Sequence, residues 1–170
     1  PLDRAGTVND RIVVYTLVAR NQWFRRLIGQ HPGSVGTLAI ADVDGDGNMD
    51  VACSTGKLTQ WFRNPGTATL QAVSTQVPWD VFNIGEISEG SPSQVQLADL
   101  DSDGVIRCFV SGGGKAWGFS PGSKVENFWT PFPVFTTKPV AEVGTVGFGD
   151  FNRDGKLDLA APASNPSTKF

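Results

Sequence analysis

Apolar residues recur at every second position in short runs along this chain, and each run breaks on a turn. In GTLAIADVDGDGNMDVA (36–52), SQVQLADLDSDGVIRCF (93–109) and GTVGFGDFNRDGKLDLA (144–160), an apolar residue stands four and two places before a shared acid: Leu38 and Ile40, Val95 and Leu97, Val146 and Phe148. A period of two predicts a strand with one buried face. The residue just before the acid is small in every copy (Ala41, Ala98, Gly149), as it would be where backbones approach closely. A second apolar stretch follows each acidic loop, MDVAC, IRCFV or LDLAA. Each unit therefore begins strand, acidic turn, strand, and the shared acids Asp42, Asp99 and Asp150 lie 57 and 51 residues apart.

The likeness reaches upstream. QWFRRLIGQHPGSV (22–35), PWDVFNIGEISEGSPS (78–93) and PFPVFTTKPVAEV (131–143) each place an aromatic, Trp23, Trp79 or Phe132, some 18 to 20 residues before the acid. A third strand, TQWFRNPG (59–66) or KAWGFSPG (115–122), ends in the turn signal Pro-Gly. Four strands in a repeat of about 50 residues have the dimensions of a β-propeller blade. A sandwich would not need the same turn three times. The expected fold is all-β: four-stranded antiparallel blades in one propeller-type domain over 1–170, with repeats near 36–92, 93–143 and 144–170. Residues 11–30 supply the outer strands of a blade, the half that the last repeat lacks. Propellers typically use four or more blades. The chain is then a piece of a longer propeller, or identical chains share a ring.

Composition agrees with many short strands joined by turns, with 20 Gly and 11 Pro in 170 residues. No apolar run approaches the roughly 18 residues of a membrane helix, so a soluble fold without a membrane span is expected. The chain opens PLDRAGTVND, with neither an initiator Met nor a signal peptide, which suggests a processed or excised chain. Cys53 and Cys108 are the only cysteines; both follow acidic loops at strand positions, where buried free thiols are expected rather than a bridge. His31 is the sole histidine, which leaves little from which to build a Ser-His-Asp triad or a multi-His zinc site. Ten of the 17 acids lie in the three loops, leaving seven against a chain total of 14 Lys and Arg. The surface outside the loops is basic, and ordinary solvation accounts for it better than an anion-binding face.

The first loop, 42–50, reads D-x-D-x-D-G-x-x-D. Side-chain oxygens at positions 1, 3, 5 and 9 and a carbonyl at position 7 can wrap a hard cation, with the position-6 glycine allowing the sharp turn. An oxygen-only set favours Ca2+ over zinc or copper, and less decisively over Mg2+. An EF-hand is excluded because position 12 is Cys53, Val110 or Ala161 rather than Glu, and strands flank the loop. The candidate ligands are Asp42, Asp44, Asp46, Asn48 and Asp50 in the first loop and Asp150, Asn152, Asp154, Lys156 and Asp158 in the third, Asn48 and Lys156 standing at the carbonyl position. Asp99, Asp101 and Asp103 form a weaker set. There, position 9 is Arg107: either its guanidinium binds those acids and replaces the metal, or calcium binds weakly with water in the gap. Asp-rich turns that merely cap strands are the plainer alternative.

DVDGDGNMD, DFNRDGKLD and, more weakly, DLDSDGVIR resemble the FG-GAP and VCBS repeats, whose calcium-bearing blades build integrin α-subunit propellers and many secreted microbial proteins. The resemblance implies a calcium-stabilised extracellular module for binding or assembly, with a protein or glycan partner at the cell surface and with no nucleic acid. As a homo-oligomer or part of a longer chain it would act in adhesion or structure. The family also hosts lectins, lyases and dehydratases, so a portion of a carbohydrate-active enzyme is the alternative. With one His and one Tyr (Tyr15), no catalytic cluster is visible. Trp61, Trp79, Trp117 and Trp129 with Phe62, Phe119 and Phe128 could stack on sugars, but strand spacing favours core between blades. SGGGK (111–115) lacks the spacing of a phosphate cradle and reads as a hairpin turn. Arg25 and Arg26 are expected to face solvent, and Glu86 with Glu89 makes a poor candidate for an acid/base pair.

Overall fold

The computed structural model describes residues 9–66, 78–87, 92, 94–112, 115–134 and 145–162. Among them are twelve strands and no helix. A hairpin of β1 (Asn9–Ala19) and β2 (Gln22–Pro32) comes first. A four-stranded sheet follows, β3 (Leu38–Ala41), β4 (Asp50–Thr55), β5 (Leu58–Arg63) and β6 (Asp80–Glu86), paired in chain order. A second runs β7 (Gln94–Ala98), β8 (Arg107–Gly112), β9 (Lys115–Ser120) and β10 (Thr130–Phe132), again in chain order. The last pair is β11 (Gly147–Gly149) with β12 (Asp158–Ala160). Every pairing is antiparallel. These are propeller-like blades, two of them whole, and none of the sheets closes into a ring.

The strands join through turns the sequence can make. Gly56, at φ 53°, and Lys57 fill the two-residue connection between paired Thr55 and Leu58, where a hairpin twist needs a left-handed residue. Asn21 does the same between β1 and β2 at φ 61°, a conformation Asn tolerates. The SGGGK stretch does bridge β8 and β9, whose ends Gly112 and Lys115 pair; residues 113–114 lie outside the described set, as do Glu89 and residues 135–143 of the third upstream segment.

Alternation along the middle strands builds two cores. From β4, Val51 and Cys53 point one way, joining Phe62, Trp79, and Ile12 and Ile28 of the first hairpin. Ala52 points the other way, joining Trp61 and Ile84 against Val95, Cys108, Val110, Phe119 and Trp129 of the second blade. The two cysteines thus face successive interfaces, and both are free and buried. A third contact sets Phe109 of β8 against Phe148 of β11, the rings tilted at 56° with centroids 4.6 Å apart. The aromatics are accordingly core: Trp61, Phe62, Trp79, Phe119 and Trp129 are buried, while Trp117 is half-buried and Phe128 exposed. Arg25 is exposed, but Arg26 is buried, contrary to expectation.

Two further expectations need correction. Val95 and Val146 are buried, yet Leu38 and Ile40 are 50% and 66% exposed. They pair with Cys53 and Val51, on the face that packs toward the first hairpin. That hairpin covers β4 and β5 and, among the described residues, leaves β3 bare. The shared upstream aromatic is also not a shared place, since Trp23 is 63% exposed and Trp79 is 5% exposed. The true counterparts are Trp79 and Trp129. Trp79 N–H donates to the Ile28 carbonyl at 2.7 Å, and Trp129 N–H donates to the Ile84 carbonyl at 2.8 Å.

Candidate metal centre

Each acidic loop joins the inner strand of a sheet to its neighbour, and one hydrogen-bond scheme recurs in all three. Positions 4 and 6 are left-handed: Gly45 and Gly47 (φ 74° and 86°), Ser102 and Gly104 (58° and 80°), Arg153 and Gly155 (63° and 86°). That double reversal turns the position-6 N–H back onto the first acid. Gly47 donates to Asp42 Oδ2 at 2.9 Å, Gly104 to Asp99 Oδ2 at 2.9 Å, and Gly155 to Asp150 Oδ2 at 3.0 Å. The N–H at position 7 donates to the acid at position 5: Asn48 to Asp46, Val105 to Asp103, Lys156 to Asp154. These acids organise the turn before any ion is considered.

The loops differ in what the carboxylates then face. In the first, Asp42, Asp44 and Asp50 bring one oxygen each within 4.8 Å of the others. Asp42 Oδ1 is buried there and has no hydrogen-bond partner. An orphaned carboxylate oxygen beside two more acids is the electrostatic complement of a hard cation. Asp46 and Asn48 stand aside, their side chains bonded to each other at 2.9 Å. In the third loop Asp158 Oδ2 accepts from Phe151 N–H at 2.9 Å, matching Asp50 Oδ2 with Val43 N–H. Asp150, Asp154 and Asp158, however, are not gathered as the first loop's acids are. Asp154 is held below the usual carboxylate range by the Lys156 N–H and the Asn152 amide.

Asp50 is the buried anchor of the first loop, wholly shielded from solvent. Burial pushes its carboxyl up to about 6, against the pull of the Asn64 and Val43 N–H groups, while Asp44 and Asp46 push further upward. Asn64 N–H donates to Asp50 Oδ1 at 2.7 Å, and its side chain donates to the Met49 carbonyl at 3.0 Å. Asn64 thereby seats the Pro-Gly turn after β5 on the loop.

Arg63, beside it, is the residue that repeat reading missed. Its Nε lies 2.7 Å from Asp44 Oδ2 and its Nη2 lies 2.6 Å from Glu126 Oε1. The guanidinium sits over Trp61 and Phe82, 5.2 and 4.9 Å from the ring centroids. It ties the first loop to the segment leading into β10 of the next blade. The second blade has Ser120 at that register, so comparing the two blades could not reveal it.

The second loop gathers Asp99, Asp101 and Asp103 within 4.8 Å, with Arg107 among them. Of the two readings open for that position, the guanidinium does bind the acids, reaching Asp101 and Asp103 at 2.7 and 2.8 Å. Hydrogen bonds from Arg107, then from the Val105 N–H, bring the Asp103 carboxyl down to about 2. The second loop also touches the third: Ser102 Oγ donates to the Gly155 carbonyl and Leu157 N–H to the Leu100 carbonyl, both at 2.8 Å.

No curated protein and no solved structure matches the chain. The family model of the FG-GAP-like repeat matches residues 42–110. That span opens on Asp42, crosses the rest of the first blade and ends in β8. The chain thus carries an FG-GAP-like repeat, in keeping with the FG-GAP and VCBS resemblance of its acidic loops.

Proposed function

We propose that this protein is a calcium-stabilised β-propeller module that works outside the cell in binding or assembly. One observation carries the reading: Asp42 Oδ1 is buried without a partner beside the carboxylates of Asp44 and Asp50. Those three acids, with the carbonyl at position 7, hold the ion in the first loop. Asp150, Asn152, Asp154 and Asp158, with the Lys156 carbonyl, hold a second once the loop draws in. The ion supplies charge compensation and ties the start of the second strand of a blade to the end of its first. Millimolar calcium outside cells suits loops of this kind, whereas resting cytosolic levels would often leave them empty. The bare Leu38 and Ile40 face supports the assembly part of the reading, because a further blade, from this or another chain, would bury it.

Melting in excess chelator and in millimolar calcium tests the metal. The expected outcome is a melting temperature lower by many degrees in chelator and restored by calcium. The same curve in both conditions would remove calcium from the function.

A further inference from the structure

The second acidic loop packs three carboxylates as closely as the first. Asp99, Asp101 and Asp103 each place an oxygen within 4.8 Å of the others, and like charges that close repel strongly without a positive group between them. Arg107 supplies one. Its Nη1 donates to Asp101 Oδ1 at 2.7 Å, to Asp103 Oδ1 at 3.2 Å and to the Val105 carbonyl at 3.3 Å, while Nη2 donates to Asp103 Oδ2 at 2.8 Å. These oxygens belong to loop positions 3, 5 and 7, among those that a calcium loop turns toward its ion. A planar guanidinium fork can serve several at once, which a lysine ammonium on a flexible stem does less well. Asp99 is occupied by the N–H groups of Asp103 and Gly104, at 3.1 and 2.9 Å.

We propose that Arg107 is the resident cation of the second loop, filling the metal's place so that this loop is shaped without calcium and takes none. The consequence reaches the third loop. Gly155 and Leu157, on either side of Lys156, are the residues held by Ser102 and Leu100 of the second loop. A loop set by its own side chain therefore braces its neighbour whether or not that neighbour holds an ion. The ion count below rests on the calcium reading of the first and third loops; the behaviour in chelator does not.

Equilibrium dialysis counts calcium on the wild type, Arg107→Asp and Asp101→Asn, and melting in chelator compares the wild type with Arg107→Gln and Arg107→Ala. Arg107→Asp restores the missing ligand and is expected to bind one ion more than the wild type, whereas Asp101→Asn leaves the count unchanged. In chelator, Arg107→Ala is expected to melt about 3 °C or more below the wild type, with Arg107→Gln between them. Where the wild type binds calcium, a count that falls by one in Asp101→Asn or a count that does not rise in Arg107→Asp overturns the proposal, and chelator melting unaltered in both neutral variants overturns it in every case. If no form binds calcium, the calcium reading fails by itself and the chelator comparison still decides whether Arg107 stands as the loop's cation.

Discussion

Asp50 combines two tasks that repeat spacing separates only in part. As the ninth position of the loop it is legible as a ligand. Its hold on Asn64 is not, because the register of the second blade puts Pro121 at that point, and proline has no N–H to give. Arg107 stands where such a donor would have been received, so the second blade replaces both partners together. The Asp50 carboxyl is raised to about 6 by burial, so in the metal-free protein the folded state binds its proton more readily than the unfolded chain does. Its contribution to stability is therefore complete below about pH 4 and is lost as pH rises through about 6. Denaturant titrations in chelator at pH 4 to 7 should show stability declining across that window, and the decline should flatten in Asp50→Asn. An equal slope in both proteins would contradict the assignment. Asp103, brought down to about 2, acts in the opposite sense at lower pH, its share being lost as pH falls from about 4 to about 2.

Blades meet through a repeated contact between an aromatic and a glycine. A Cβ on Gly29 would lie 2.3 Å from the Phe62 ring, and one on Gly85 would lie 2.4 Å from the Phe119 ring. Gly29→Ala and Gly85→Ala are each expected to cost about 1–3 kcal/mol, the range for overpacking a filled core, measurable as a lower urea midpoint with an unchanged slope. No loss at either site would mean that the ring moves aside freely. Strand order and the acidic turns were open to reading because a period of two and a repeated loop are local properties. The strand-to-strand register was not. TQWFRNPG and KAWGFSPG invite alignment of Trp61 with Trp117, yet Phe62 pairs with Val51 as Phe119 pairs with Cys108. The true offset is the 57 residues of the acidic loops, and a slip of one residue changes the face on which a side chain lies. Trp61 is consequently buried and Trp117 only half so. Arg63, Asn64 and Ile28 were likewise hidden, since their partners come from other strands or the next blade.

Among the described residues the sheets stand in sequence, and each four-stranded sheet packs one face against the sheet before it and the other against the sheet after. Cys53 belongs to the first of these seams and Cys108 to the second. Burial alone raises both thiols, Cys53 to about 12, so neither is a nucleophile in the closed protein. Each becomes one only when its own seam parts. The rate at which a thiol reagent labels each cysteine therefore reports the opening of one named seam, in the way that amide exchange reports local unfolding. Calcium should slow Cys53, whose strand begins at Asp50, more than Cys108, whose strand begins at Arg107. Equal protection of the two by calcium would mean that the seams open together. With its two native cysteines, the chain carries a separate gauge for each of its first two seams.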